Sequence, residues 1–426
     1  MVAKHKNNEV FFEDYTKLKP LGSGSYASVF KVRHNNLGYV RAIKILNQTL
    51  DRGEDDPVFE KFIDECRLLL RLGNGCHPNI VRIYHPLLRS HHALVEMDYI
   101  DGEDLYKYLE RETFIDVNEI INLAKNIGSA LAYCHVDVHE YCLNGDENDF
   151  EVDPDDAGKI VYDREKMIKK YRVVHNDMHS RNIMRAKDGR YVLLDFGLSI
   201  EGNSVVRKSQ RENGAPEFKA PEKWDSAEPT PETDIYGFGV ILYEMLAGQV
   251  PFKLDKKNRN SIEAEYRLSN EHKNNKPPQI LELRKKAFEK KNPGKKYDKD
   301  YPDWLEELIL KCLEKKPEDR FADGKELYDF IGSKLMVYSE SHYVELQNKI
   351  RELESDNKRL GDELAKFKNE FFNKESVTQL KKQLERKTMK VASLSSEVQD
   401  LKNKLNKKNQ SNKGDGNIIT INDFDF

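Results

Sequence analysis

The run Leu21-Gly-Ser-Gly-Ser-Tyr-Ala-Ser-Val29 sets Gly22 and Gly24 two residues apart between strand-like stretches. By itself this marks a turn. A glycine-rich hairpin can also bring backbone N–H groups close to phosphate oxygens, because no side chain blocks the approach. Fifteen residues beyond Val29, Lys44 follows Ala42 and Ile43 in another apolar, strand-like run. A lysine there is either an edge residue with its ammonium in water or, next to the glycine turn, a point charge for a phosphate. The stretch Phe62-Ile-Asp-Glu65-Cys-Arg-Leu68-Leu69 has helical periodicity, which puts Glu65 on a helix where it can pair with Lys44.

The elements that must hold these residues sit in a chain of 426 residues, 38% hydrophobic and 34% charged. At ~100–200 residues per domain, that length allows two to four domains. The charge is high for one compact body, so part of the chain is solvated helix or tail. A sequence pI of 6.4 argues against a dedicated nucleic-acid binder. No apolar run approaches the ~20 residues of a membrane span, and the N-terminus has no secretory apolar stretch, so no membrane insertion is expected. Cys66, Cys76, Cys134, Cys142 and Cys312 are scattered without close pairs, which is neither a disulfide framework nor a zinc site. That usage fits a reducing compartment, and a cytoplasmic location is expected.

All 15 prolines lie at or before Pro317, and strand-like and helix-like stretches alternate up to about Leu335. Beyond it, Leu346, Ile350, Leu353, Asn357, Leu360, Leu364, Phe367 and Phe371 recur at alternating spacings of four and three. That seam predicts a left-handed coiled coil, and a lone Asn at a core position favours a parallel two-stranded partner. A second seam, Val377, Leu380, Leu384, Val391, Leu394, Val398, Leu401 and Leu405, is out of phase by one residue, with the break near 373–376. Lys387 occupies a core position of this seam and should weaken it. The other reading is an amphipathic helix folded back on its own domain. The coil is assigned to 340–407 and a polar, disordered tail to 408–426. Residues 136–172 form an insert, acidic in its first half and basic and helix-prone in its second, read as a solvated excursion.

Further motifs follow in order. Val174-His-Asn-Asp-Met-His-Ser-Arg-Asn182 resembles the protein-kinase catalytic loop H-R-D-x-x-x-x-N, and Leu194-Asp-Phe-Gly197 resembles the D-F-G metal motif. Ala220-Pro-Glu222 resembles A-P-E, inside the longer Gly214-Ala-Pro-Glu-Phe-Lys-Ala-Pro-Glu222. His77-Pro-Asn-Ile-Val81, Asp234-Ile-Tyr-Gly-Phe-Gly239 and Lys316-Pro-Glu-Asp-Arg320 also match. The resemblance covers about residues 10–335 and is greatest to the bacterial Hanks-type serine/threonine kinases. It implies an α+β, two-lobed fold: a β-rich lobe at about 10–100 and a mostly helical lobe at about 101–335, which the coiled-coil helix read from the heptad spacing follows.

The resemblance implies an ATP-dependent serine/threonine protein kinase that uses Mg2+ (or Mn2+) and acts on a protein substrate. It assigns Lys44, held by Glu65, to the α/β-phosphates, Asn182 and Asp195 to the metal, and Asp177 to the substrate hydroxyl. The backbone of Gly22, Ser23, Gly24 and Ser25 would cover the phosphates. Leu21, Val29, Ala42 and Met184 would enclose the adenine, with Met97 as gatekeeper, Asp98 and Ile100 as hinge and Asp104 at the ribose. Glu222 and Arg320 match an ion pair of the helical lobe, and Asp234 the brace of the catalytic loop.

Three departures from the pattern bear on mechanism. Asn176 replaces the arginine that in the family pairs with a phosphorylated activation loop, so activity without strict dependence on phosphorylation at Ser199, Ser204 or Ser209 is expected. His179 replaces the lysine that steadies the γ-phosphate, and Arg181, two residues on, is expected to substitute for it. Ala215 replaces a threonine whose hydroxyl contacts the catalytic aspartate. The alternative function is a pseudokinase scaffold that binds nucleotide and partners without efficient catalysis. The coil implies a homodimer or another coiled-coil partner.

Overall fold

Apolar residues alternate with polar ones through the first hundred positions, and they fold as β1 (Tyr15–Ser23), β2 (Ala27–His34), β3 (Val40–Leu46), β4 (Ile83–Arg89) and β5 (His92–Asp98). These strands form one antiparallel sheet in the order β1-β2-β3-β5-β4. Val32, Ile43 and Leu94 bury together on one face, with Tyr15, Phe30 and Ile45 against them. Helix α1 (Pro57–Asn74) packs on β4 and β5 through an apolar stripe that includes Phe62, Leu69 and Leu72.

The computed structural model describes residues 14–23, 27–50, 56–74, 77–89, 92–138, 151–152, 160–161, 164–197, 199–201, 215–254, 261–371 and 377–411. They fall into two units, 1–332 and 333–426.

After β5 come β6 (Gly102–Asp104), α2 (Leu105–Arg111) and α3 (Val117–Ala132). A helical turn at Tyr133–Asp137 leads to the short ribbon of β7 (Glu151–Val152) and β8 (Ile160–Val161). Helix α4 (Arg164–Tyr171) then precedes β9 (Val173–Val174). Strands β10 (Ile183–Ala186) and β11 (Tyr191–Leu193) join β6 in a three-stranded sheet, and β12 (Ile200–Glu201) pairs with β9. Helices α5 (Pro231–Ala247), α6 (Ile262–Asn274), α7 (Ile280–Lys291) and α8 (Asp303–Cys312) complete the helical lobe, and α9 (Gly324–Phe371) begins there. The two-lobed α+β fold is the one expected.

Helix α5 explains how that lobe is organised. It is predominantly apolar and nearly every residue is buried, the signature of a helix inside a core. Pro231 opens it, the Thr230 N–H donates to Thr233 Oγ1 at 3.1 Å, and Gly248 (φ 76°) closes it in the left-handed region. Two glycines let neighbours lie directly on its backbone. A Cβ at Gly237 would stand 2.7 Å from Met178 Cβ, and one at Gly239 2.5 Å from Cys312 Cβ.

The insert is not wholly a solvated excursion. Its basic half folds as α4, whose Met167 and Tyr171 are buried, so an apolar face docks while the lysines stay outside. Most of the acidic half, 139–150 and 153–159, lies outside the described residues.

The second unit, taken by itself, pairs the later part of α9 with α10 (Val377–Ser411). Lys402 Nζ lies 2.7 Å from Glu354 Oε1, Asn357 Nδ2 donates to Ser395 Oγ at 2.9 Å, and Lys387 Nζ lies 3.0 Å from Glu363 Oε2. Partner numbers fall as α9 advances, so the two helices run antiparallel. Ile350, Leu353, Leu360 and Val398 are buried. The seams anticipated from spacing therefore face each other within one chain. Asn357 has a partner on its own chain, and Lys387 is accommodated by Glu363 at the seam's edge. Residues 408–411, read as tail, continue α10; the rest of that tail lies outside the described residues.

The hairpin is testable by cross-linking. In the double variant Asn357→Cys/Ser395→Cys, mild oxidation should give an intrachain disulfide with unchanged molecular mass and faster non-reducing migration. Cross-linked dimers alone would show that the helices pair between chains.

Candidate active site

The site lies where the sheet meets the helical lobe, and backbone registers deliver its upper half. Gly22 on β1 faces Val29 on β2, and Lys44 on β3 faces Val29 on one side and Val95 on the other. Ala42 faces Met97 on β5, so the expected gatekeeper and the expected roof of the adenine site are neighbours. Leu21, Gly22 and Ser23 belong to β1; Gly24 and Ser25 lie outside the described residues. The Asp98 N–H donates to the Arg82 carbonyl at 2.9 Å, which leaves its carbonyl, not its N–H, for a ligand. Ile100 follows in the connection between β5 and β6.

Lys44 Nζ donates to Glu65 Oε1 at 2.7 Å and lies 3.5 Å from Asp195 Oδ1. Burial opposes the charge on Lys44, but the carboxylates of Glu65 and Asp195 outweigh it and hold its pKa above the ordinary lysine value. The pair forms because α1 sits on the sheet with Glu65 facing inward. Phe196 next to Asp195 is buried, its ring edge-on to His175 at 4.7 Å.

The lower half is the catalytic loop. Asp234, 1% exposed on α5, accepts the His175 N–H at 2.6 Å, the Asn176 N–H at 2.7 Å and His135 Nε2 at 3.0 Å. His135 Nδ1 accepts the Gly324 N–H at 2.9 Å, so its proton is on Nε2 and points at Asp234. Asn176 is held at φ 65°, a left-handed conformation that asparagine tolerates better than most residues. His175 Nδ1 accepts the Asp177 N–H at 3.3 Å, and its Nε2 donates to the Leu194 carbonyl at 2.8 Å. The loop is thus tied to the segment after β11 that carries Asp195.

Around Asp177, Asn182 Nδ2 donates to the Asp177 carbonyl at 2.9 Å and to Oδ2 at 3.2 Å. His179 Nε2 lies 3.4 Å from Oδ2, while its Nδ1 accepts the Arg181 N–H. Burial would raise the pKa of Asp177, but His179, with help from His175 and Asn182, holds it below the usual carboxylate range. Asn182 spends its amide donor on Asp177 and so keeps its carbonyl oxygen as an acceptor. Asp195, half exposed and at φ 53°, accepts the Gly197 N–H through Oδ1. Two hard oxygen donors, from Asn182 and Asp195, are of the kind that would hold Mg2+ or Mn2+. Among the described residues no group of three or more His, Cys, Asp and Glu forms a metal cage.

The other expected site residues have protein partners of their own. Arg181, expected to steady the γ-phosphate, lays its guanidinium over the Tyr106 ring of the adjoining α2, 3.5 Å from the centroid. The group on Asp177 is His179. Asp104 caps α2, accepting the Lys107 N–H at 2.9 Å, and also pairs with Lys107 Nζ at 2.7 Å, so both of its oxygens have protein partners. Met184 on β10 faces Asp104 and Val192. Ser199 Oγ donates to the His175 carbonyl at 3.1 Å from a buried position, a structural contact, and Ser204 and Ser209 lie outside the described residues. Glu222 accepts Arg320 through both oxygens at 2.9 and 3.0 Å, the expected ion pair.

Sequence reasoning missed His135, Lys223 and Glu244. His135 carries no motif. Lys223 stands directly after Glu222 and reaches Asn176. Glu244 lies on α5 beneath a cleft of about 880 Å3 lined by Tyr106, His179, Arg181, Phe218 and Leu254, among others. Burial pushes its carboxyl up to about 7, and its Oε2 has no hydrogen-bond partner.

Replacing Asp234 with Ala strands two buried N–H donors and His135. At about 1–3 kcal/mol for each unpaired donor, less the relief of a buried charge, we expect a loss of about 2–4 kcal/mol in urea unfolding. Unchanged stability would show that the brace is dispensable.

Comparison with known proteins fits this geometry. The family model described as protein kinase domain matches residues 15–142 and 157–329, and its gap falls within the insert. A probable serine/threonine-protein kinase of Clostridium acetobutylicum is 26% identical over 360 residues, 83% of this chain and 46% of the relative. Serine/threonine-protein kinase PkaA of Streptomyces coelicolor is 26% identical over 321 residues, 72% of this chain and 47% of the relative. The RAC-beta serine/threonine-protein kinase of Rattus norvegicus is 28% identical over 244 residues, 57% of this chain and 43% of the relative. The chain spans less than half the length of each of these relatives.

Proposed function

The chain belongs to the protein kinase family, and from that premise we propose that it transfers the γ-phosphoryl group of ATP to a serine or threonine hydroxyl of a protein. The observation that carries this reading is the closed Lys44–Glu65 pair at 2.7 Å with Asp195 at 3.5 Å, beside a catalytic loop whose Asp177 is fixed by Asn182 and His179. An arrangement with the ion pair open, or with Phe196 out of the core, would need rebuilding before it aligned phosphates.

Phosphoryl transfer needs alignment and cations more than covalent chemistry. Lys44 holds the α- and β-phosphate oxygens while Glu65 fixes its ammonium. Asp177, ionised at neutral pH, orients the acceptor hydroxyl and takes its proton as the new P–O bond forms and the bond to the β-phosphate oxygen breaks. His179 keeps Asp177 ionised and turned toward the cleft. A divalent ion held by Asn182 and Asp195 would neutralise phosphate charge. Leu21, Val29, Ala42, Met97 and Met184 would enclose the adenine, with Asp98 and Ile100 at its edge. The cleft beneath His179 has room for an extended peptide, which supports a protein substrate over a small molecule; Arg181 and Tyr106 belong to this peptide side.

For the second unit we propose a second copy of the chain as partner. Leu364, Leu384, Val391, Leu394 and Leu401 stay only half-buried in the hairpin, which leaves apolar surface for another hairpin. Sedimentation of the full chain against a truncation after Val337 separates a dimer from a monomer. Cys66, Cys134 and Cys312 are buried free thiols, which supports a reducing, cytoplasmic location. Among the described residues no helix is long and apolar enough to cross a membrane.

With Mg-ATP the full chain should autophosphorylate on Ser or Thr. Lys44→Met and Asp195→Asn should lower the rate by at least about 10²-fold, whereas Ser204→Ala and Ser209→Ala should stay within about threefold of the parent, because no arginine at 176 awaits a phosphate. Phosphate incorporation read by mass determination decides it: none in the parent chain, with nucleotide bound, would favour a scaffold.

A further inference from the structure

Lys223 is 3% exposed, yet it carries an ammonium. Its Nζ donates to Asn176 Oδ1 at 2.5 Å and lies 3.4 Å from the Asn176 carbonyl oxygen. The Asn176 N–H is held from the opposite side by Asp234 at 2.7 Å. The peptide unit before Asp177 and the side chain that precedes it are therefore gripped by two elements, α5 and the helical turn at Pro221–Asp225 that carries Lys223. An arginine at 176, the residue of the family pattern, would bring a second cation against Lys223. Asparagine brings an acceptor, and it also tolerates the left-handed φ of 65°. The two residues are complementary in charge, in hydrogen-bonding role and in backbone demand.

We propose that Lys223 is a positioning residue for phosphoryl transfer: its buried amine clamps Asn176 and so aims Asp177, without need of a phosphate on the activation loop. The inference rests on the kinase reading above. It accounts for what replaces the arginine–phosphate contact, which the departure at Asn176 leaves open. The groups facing Lys223 are Asp177 on the catalytic loop, Asp234 on α5, and Glu222 and Lys219 on its own segment. Burial, reinforced by Lys219, pulls the Lys223 pKa down to about 8, against the pull of the three carboxylates. Below that pH the hydrogen bonds to Asn176 are charge-assisted. Above it they come from a neutral amine and are roughly half as strong. The clamp therefore loosens as pH rises through about 8.

The experiment uses the full chain with Mg-ATP and compares the parent with Lys223→Met and Lys223→Arg. Lys223→Met should lower kcat about ten- to hundredfold, as for a misaimed catalytic group, with the KM for ATP within about twofold. The parent's kcat should fall as pH rises through about 8. Lys223→Met should be flat across that window, and Lys223→Arg should recover kcat and shift the fall upward, since guanidinium stays charged. Amide hydrogen exchange at Asn176 and Asp177 should quicken at least about tenfold in Lys223→Met and not in Lys223→Arg. Parental kcat in Lys223→Met, an alkaline fall retained in it, or unchanged exchange at both amides would overturn the proposal. If Lys223→Met does not fold, an unshifted alkaline fall in Lys223→Arg does so. A parent chain that binds nucleotide without transferring phosphate overturns the kinase reading instead, and the exchange measurement still decides whether Lys223 holds the loop.

Discussion

One buried carboxylate organises this molecule. Asp234 sits in the apolar interior of the helical lobe, where an unpaired carboxylate is expensive, and it is stable there because three donors converge on it. Two of the three are successive backbone N–H groups of the catalytic loop, so satisfying the carboxylate and shaping the loop are one event. The surroundings follow from that. Helix α5 must be buried on all sides to present the carboxylate, position 237 must lack a Cβ because Met178 lies on it, and residue 176 must accept a left-handed backbone. His135 carries the same network to the Gly324 N–H at the start of α9.

The upper half of the site depends on this lower half through few contacts. His175, whose N–H is anchored on Asp234, donates from its ring to the Leu194 carbonyl and packs on Phe196. Those residues flank Asp195, which meets Lys44. A parallel seam runs through Leu193, whose carbonyl accepts the Val81 N–H and whose N–H donates to the Asn79 carbonyl. A shift of the catalytic loop would therefore reach Asp195 through one imidazole and one strand. The Lys44–Glu65 pair meets Asp195 there, at 2.7 and 3.5 Å from the same ammonium.

The residues that the kinase motifs assign to phosphate, metal and proton were legible in the sequence because those motifs keep a fixed residue type and order. The structure brings Lys44, Glu65 and Asp195 together, sets Asn182 on Asp177, and pairs Glu222 with Arg320. His135 and Lys223 were not legible, because each acts through a contact made only when distant segments meet. Nor were the contacts of Arg181 and Asp104 legible: a neighbouring ring and a helix N-terminus hold side chains that the pattern alone assigned to ligand. In the C-terminal unit the heptads revealed the seams, but an a/d pattern specifies neither direction nor partner. Antiparallel pairing within the chain satisfies Asn357, Lys387 and Lys402 as well as a parallel pair of chains would satisfy the apolar positions alone.

The departures around Asp177 share a physical direction. Where the family pattern places long cations that await an external phosphate, this chain places short or buried groups that are satisfied internally. Asn176 accepts from Lys223, and His179 sits against Asp177. Ala215 offers no hydroxyl, and Arg181 is held on an aromatic ring outside the reacting geometry. At 176 and 179 the chain places a contact already made in the resting fold where the pattern has a cation. A loop stabilised in this way is ordered before substrate arrives, so its alignment costs little at the moment of reaction.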